Sequence, residues 1–314
     1  MSEPDLSIVV PCYRSATCLR ELAKRVKQAL APTGRSFELV LVNDCSPDTT
    51  WSVICELADG CDFVVGVDLR TNVGQHNAIM AGLHQVRGKI VIIMDDDLQH
   101  DPADIPRLCD AVEEGGHDVV YANFVHKQQA AWKNLGSLGV DRLGVLLFGK
   151  PPEIYMSPFK AIRGEVAREV LAYTGPYSYV DGILFTITSR IAQIDTQHYE
   201  RYAGQGNFGL VRSIRLALEL ATSFSVTPLR VAAIAGGVIA LLSFLLGGYF
   251  LFEALFISRS VPGFAVLAVS LFFLGGIQLV FIGLVGEYVG RIFITLNHRP
   301  QFSVRELRGR HLGA

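Results

Sequence analysis

Three consecutive carboxylates, Asp95, Asp96 and Asp97, close the apolar run "IVIIMDDDLQHDP" at residues 90–102. Neighbouring anions repel one another, and burying any of them unpaired is costly. The stretch therefore calls for a positive partner, and a divalent metal is one candidate. Gln99 and His100, directly beyond, are polar groups within reach of whatever that partner holds.

The carboxylates need a scaffold that brings them to a cleft. Short β-branched runs at 6–11, 37–44, 63–69, 90–95 and 118–122 alternate with stretches of helical spacing, which predicts a mostly parallel α/β sheet covered by helices. On such sheets ligands bind at the carboxyl ends of the strands. Cys12 to Arg14, Asn43 to Ser46, Arg70 to Gly74 and Asp95 to Asp97 all fall at those ends. Between Val125 and Ser225 the pattern is weaker, with an apolar helix near 135–148 and another helix at 164–173.

The C-terminal third is different. Half of the 314 residues are hydrophobic, and the mean hydropathy of +0.34 is high. Charge is absent from Val231 to Phe252 and from Val261 to Gly286, runs of 22 and 26 residues. At about 1.5 Å per helical residue either run crosses a hydrocarbon core of roughly 30 Å. Just before them, Leu210, Ile214, Ala217, Ala221 and Phe224 share one helical face while Arg212, Arg215 and Glu219 lie opposite, the pattern of an interfacial helix. The expected organisation is a catalytic domain at 1–208, a juxtamembrane amphipathic helix at 209–228, two transmembrane helices within 229–290 and a tail at 291–314.

Arginines cluster before the first span and after the second, whereas the connection between the spans carries Arg259 alone. Both termini and the N-terminal domain are therefore expected on the cytoplasmic side of the inner membrane. No signal peptide is read at the N-terminus. The six cysteines lack a C-x-x-C pair and are expected to be reduced, mostly structural thiols. A net charge of -2 without a long basic run argues against nucleic acid as a partner. Two apolar helices also offer a packing surface for a homo-oligomer.

"SIVVPCYRSATCLRELA", "ELVLVNDCSPDTTW" and "RTNVGQHNAIMAGLHQVRGKIVIIMDDDLQHDPADIP" resemble, in order and approximate spacing, the nucleotide-binding half of family-two glycosyltransferases with the Rossmann-like A-type fold. The C-terminal "VPGFAVLAVSLFFLGGIQLVFIGLVGEYVGR" is similar to the membrane hairpin of bacterial polyprenyl-phosphate glycosyltransferases, relatives of dolichyl-phosphate mannose synthase. The resemblance implies that Asp95 and Asp97 face a Mg²⁺ or Mn²⁺ shared with the diphosphate of a nucleotide sugar. Alternation along an extended segment puts this pair on one side and Asp96, read as solvated or capping, on the other. The resemblance further implies that Pro11 and Tyr13 line the base pocket and that Asp44 accepts hydrogen bonds from base or ribose. Arg70, Asn72 and Gly74 would form the same wall, Gln99 would touch sugar or phosphate, and Arg201 would clamp phosphate.

The resemblance is partial at Lys127 and Lys133, where relatives often carry an arginine pair, and at Ser157, Pro158 and Lys160, where many have an Asp-Phe-Arg run. Asp181 would be a base if the acceptor were a hydroxyl. The implied activity is inverting transfer of a sugar from a nucleotide-diphosphate donor, a UDP-sugar, to undecaprenyl phosphate, giving a lipid-linked monosaccharide for modification of an envelope glycan such as lipopolysaccharide. The rivals are transfer to a hydroxyl of a saccharide or lipid, and a non-catalytic membrane scaffold that binds nucleotide sugars.

Overall fold

Strands β1 (Leu6–Cys12), β2 (Phe37–Asn43), β3 (Val64–Leu69) and β4 (Ile90–Ile93) are almost wholly buried, as strands covered on both faces must be. The computed structural model describes residues 3–124, 153–175, 178–196, 227–256, 263–297 and 300–309. Helices α1 (Leu19–Leu30), α2 (Thr50–Gly60), α3 (Gln75–Leu83) and α4 (Ile105–Glu113) connect or follow these strands. The apolar stripe of α1, Leu19, Leu22, Ala23, Val26 and Leu30, is buried at helical spacing, so this helix is held by its inner face.

The chain continues through β5 (Val119–Phe124), β6 (Lys160–Arg163), α5 (Gly164–Val170), α6 (Val180–Ile187) and β7 (Ile191–Thr196). Among the described residues the strands form one sheet in the order β7-β5-β6-β4-β1-β2-β3-β8, where β8 is Val304–Arg308. Pairing is parallel for β1 with β2 and β4, for β2 with β3 and for β5 with β7. It is antiparallel at β4–β6, β5–β6 and β3–β8.

The chain leaves β1 towards β2 on one side and returns to β4 on the other. The carboxyl ends of β1 and β4 therefore flank a topological switch point, where a sheet of this kind opens a crevice. Helix α3 approaches these strands closely. A Cβ on Gly82 would lie 2.5 Å from Val9 Cγ1 and 3.0 Å from Val42 Cγ2, so only glycine permits this packing.

Strand β4 ends at Ile93, two residues before the expected end, because the chain turns into the carboxylate loop. The region at 291–314, read as a tail, supplies β8. Its first residues Arg291 to Leu296 instead extend the second apolar helix. The expected helix near 135–148 and the amphipathic helix at 209–228 lie almost wholly outside the described residues.

The chain divides into two compact units, Met1–Arg212 with His298–Ala314, and Ser213–Asn297. The second unit contains α7 (Thr227–Phe256) and α8 (Gly263–Leu296). Leu229–Tyr249 and Phe273–Leu296 are long and apolar enough to cross a membrane, and 0% of either apolar window is buried. Phe244, 78% exposed, and Leu279, 71% exposed, are representative of surfaces that water would not tolerate over this area. These helices are therefore not core helices of a soluble domain.

Candidate active site

The crevice loops are held in unusual backbone geometry. Among the described residues, the non-glycine positions with positive φ are Arg14 at 58°, Cys45 at 49° and Leu98 at 60°. One follows each of β1, β2 and β4. Side chains seldom adopt this region, and such outliers concentrate where a loop must present chemistry. Leu98, 3% exposed, pins the carboxylate loop into the core.

The three carboxylates lie in the loop after β4 and take different partners. Asp95 Oδ1 accepts a 2.6 Å hydrogen bond from Gln75 Nε2 in the first turn of α3. The backbone N–H of Asp95 donates to Nδ1 of the buried His100 at 3.4 Å. Asp97 Oδ1 accepts from the Gln99 backbone N–H at 3.1 Å. Asp95, Asp97 and Gln99 are all half-buried.

Asp96, half-buried like its two neighbours, turns to the β1 loop. Its Oδ2 accepts from the Tyr13 backbone N–H at 3.4 Å and from the Ser15 hydroxyl. It therefore ties the β4 loop to the β1 loop. Burial raises its pKa, and the bonds from Ser15 and Tyr13 pull it back. Pro11 lies buried within β1, whereas Tyr13 is 46% exposed beside the crevice, with the Arg14 guanidinium 5.5 Å from its ring centroid.

The 70–74 wall stands on Asp44. Asp44 Oδ1 accepts from the Val73 N–H at 2.7 Å and Oδ2 from the Gly74 N–H at 2.9 Å. Asn72 Nδ2 donates to the Asp44 carbonyl at 3.1 Å. Gly74, at φ 84°, occupies a conformation suited to glycine just before α3. Burial raises the Asp44 pKa, and the two amide bonds oppose the shift. A carboxylate so held offers a ligand only its remaining lone pairs.

Arg70 is exposed, and its backbone is clamped by the C-terminal segment. Its N–H donates to the Ser303 carbonyl at 2.9 Å, and its carbonyl accepts from Arg305 at 3.1 Å. Arg305 also reaches the buried Asp68 at 3.2 Å, which accepts from Asn43 at 2.7 Å.

Asp181, read either as a base for a hydroxyl acceptor or as a helix-start aspartate, lies buried in the first turn of α6. Its Oδ1 accepts from the Tyr121 hydroxyl at 2.8 Å and from the buried Lys160 ammonium. Its first role in this geometry is to neutralise Lys160. Lys160 pairs with Ile93 across the β4–β6 ladder, two residues from Asp95. Arg201, Lys127 and Lys133 lie outside the described residues. Gln75, the Asp96 tether and the Lys160–Asp181 pair were not anticipated as site elements. Each depends on contacts between residues 20 or more apart in sequence.

Residues 7–178, more than half of the chain, match the family described as glycosyl transferase family 2. The chain belongs to that family.

Its relatives include a protein of Shewanella sediminis named undecaprenyl-phosphate 4-deoxy-4-formamido-L-arabinose transferase, 34% identical over 96% of this chain and 92% of the relative. A protein of the same name from Klebsiella pneumoniae is 33% identical over 96% of this chain and 93% of its own. Among solved structures, glucosyl-3-phosphoglycerate synthase from Mycobacterium tuberculosis, in complex with Mn²⁺, uridine diphosphate and phosphoglyceric acid, superposes with a TM-score of 0.51 at 18% identity. That alignment covers 70% of this chain and 77% of the other, and it shows a shared fold.

Asp95 and Asp97 offer the hard oxygen donors that Mg²⁺ or Mn²⁺ takes. Among the described residues no third His, Cys, Asp or Glu joins them in a cluster. Two carboxylates would hold such a cation only with further ligands from substrate or water.

Proposed function

We propose that this glycosyltransferase moves a sugar from a nucleoside diphosphate donor, a UDP-sugar, to undecaprenyl phosphate at the cytoplasmic face of the inner membrane. The product is a lipid-linked monosaccharide for modification of an envelope glycan. The observation that carries the reading is the pair of half-buried carboxylates, Asp95 and Asp97, at the β1–β4 switch point of a chain that also bears two exposed apolar helices. The relatives' names support the lipid phosphate acceptor, and they make a UDP-linked 4-deoxy-4-formamido pentose the first donor to test.

Asp95 and Asp97 would hold Mg²⁺ or Mn²⁺, with Gln99 beside them. When bound, the cation neutralises charge on the departing diphosphate. Pro11 and Tyr13 border the base, and the wall from Arg70 to Gly74, propped on Asp44, borders the ribose and phosphates. Gln75 orients Asp95, and Asp96 fixes the spacing between the β1 and β4 loops. Arg201 is proposed to clamp phosphate.

A lipid phosphate is already ionised at neutral pH, so the acceptor oxygen attacks without a general base. The tie between Asp181 and Lys160 accords with that chemistry. Direct displacement inverts the anomeric carbon. The arginines flanking the two apolar runs favour both termini on the cytoplasmic side, and the exposed helices give a surface for self-association.

The test is to incubate membranes containing the protein with undecaprenyl phosphate, labelled UDP-sugars and Mg²⁺ or Mn²⁺. Label is expected to move into the organic phase and to be released by mild acid. Label that stays in water with every donor, or that enters a product stable to mild acid, would contradict the reading.

A further inference from the structure

Among the described residues, three buried side-chain atoms lack a hydrogen-bond partner: His76 Nδ1, Asn77 Oδ1 and Ser178 Oγ. An orphaned buried polar atom costs about 1–3 kcal/mol, and native interiors keep few of them. These three gather in one region. His76 and Asn77 are adjacent in the first turn of α3, and Ser178 precedes Tyr179, whose ring meets the His76 ring edge-on with centroids 4.8 Å apart.

The region borders the carboxylate loop. Gln75, the residue before His76, donates to Asp95. On the other side, Asp181 of α6 bonds Lys160, whose ladder partner Ile93 ends β4. The starts of α3 and α6 thus place the three orphaned atoms next to the elements that hold Asp95 and Ile93. His76 and Asn77 are half-buried as residues, whereas the three atoms themselves are enclosed.

The chemistry offered is polar and uncharged. The Asn77 amide already donates through Nδ2 to the Val73 carbonyl at 3.2 Å, so its Oδ1 is left as an acceptor. The Ser178 hydroxyl both donates and accepts. Burial lowers the His76 pKa from 6.5 to about 4, so the ring is neutral at physiological pH and its free nitrogen is available. The nearby Lys160 charge is balanced by Asp181. Such a surface suits hydroxyl or amide substituents rather than phosphate.

We propose that His76, Asn77 and Ser178 form the subsite that holds the sugar of the donor and reads its uncharged hydroxyl or amide substituents. The subsite presupposes the nucleotide-sugar donor proposed above. Site groups that hydrogen-bond a substrate substituent discriminate strongly against ligands lacking it, because the buried partners are then left unpaired.

The test titrates full-length protein in detergent, with Mn²⁺ present, against UDP and against UDP-4-deoxy-4-formamido-L-arabinose. His76→Phe keeps a ring against Tyr179, and Ser178→Ala removes a single oxygen. Each variant is expected to weaken binding of the UDP-sugar about tenfold relative to UDP. Equal weakening for both ligands would mark a structural defect and overturn the subsite, as would unchanged binding of both. Wild-type protein that binds neither ligand would contradict the donor reading and remove the subsite with it. Wild type that binds UDP, paired with variants that keep the sugar's contribution, would sink the subsite alone.

Discussion

Asp97→Asn is expected to lower the rate of sugar transfer about a hundred- to a thousandfold at saturating Mn²⁺ while leaving the melting temperature close to wild type. The expected loss is that of a preorganised group facing charge that develops on a leaving group. The structure explains why the fold should survive. Asp97 is half-buried, and an asparagine Oδ1 can still accept from the Gln99 N–H. Asp95→Asn should behave similarly, since an amide oxygen can keep the bond from Gln75. Initial rates with a labelled donor, read beside thermal melts, decide the matter. Transfer within tenfold of wild type would remove Asp97 from the chemistry and favour a scaffold that binds nucleotide sugars without turning them over.

The second large effect concerns stability. Asp181→Asn leaves the Lys160 ammonium buried without its counter-ion, with side-chain exposures of 3% and 9% for the two partners. Breaking a buried pair from one side costs about 3–5 kcal/mol. For a domain of this size that corresponds to a fall in Tm of roughly 6–20 °C. Replacing both partners, Lys160→Met with Asp181→Leu, should recover most of the loss, because two well-packed apolar groups avoid the desolvation of two charges. If Asp181 were instead a general base, Asp181→Asn would keep its Tm and lose transfer. Melting curves and rates measured on the same preparations separate the two roles.

Much of the sheet was legible because strands buried on both faces are continuous apolar runs. "LSIVVP" and "FELVLVND" needed no long-range information to be read as β1 and β2. The later strands were harder for physical reasons. Strand β6 is four residues, "KAIR", and opens on a lysine that is buried only because Asp181, 21 positions away, neutralises it. Strand β7, "IAQIDT", is half-buried along most of its length and so lacks a clear apolar face. Strand β8, "VRELR", carries three charges in five residues, which reads as a solvated tail. Charged side chains are what an exposed sheet edge carries to avoid pairing with other chains.

The candidate site divides along the same line. Alternation along an extended segment sets Asp96 apart from Asp95 and Asp97 in the sequence, although β4 ends at Ile93 and the three lie in a loop. What Asp96 does depends on Ser15 and Tyr13, which are 81 and 83 residues away and leave no local pattern. Asp44 was legible as a strand-end carboxylate, but its two bonds to the Val73 and Gly74 amides, which prop up the opposite wall, emerge only from the fold. The orphaned atoms of His76, Asn77 and Ser178 are invisible in sequence, because an unmet hydrogen bond is defined by its surroundings.

The most direct test of the central claim is electron paramagnetic resonance of Mn²⁺ titrated into full-length protein with and without UDP. With UDP present, wild-type protein is expected to remove Mn²⁺ from the free hexa-aquo signal in one-to-one proportion. The Asp95→Asn, Asp97→Asn double variant is expected to leave that signal as it stands for Mn²⁺ and UDP alone. Equal Mn²⁺ uptake by the double variant, or none by wild type in the presence of UDP, would contradict a donor diphosphate held through a cation at the end of β4.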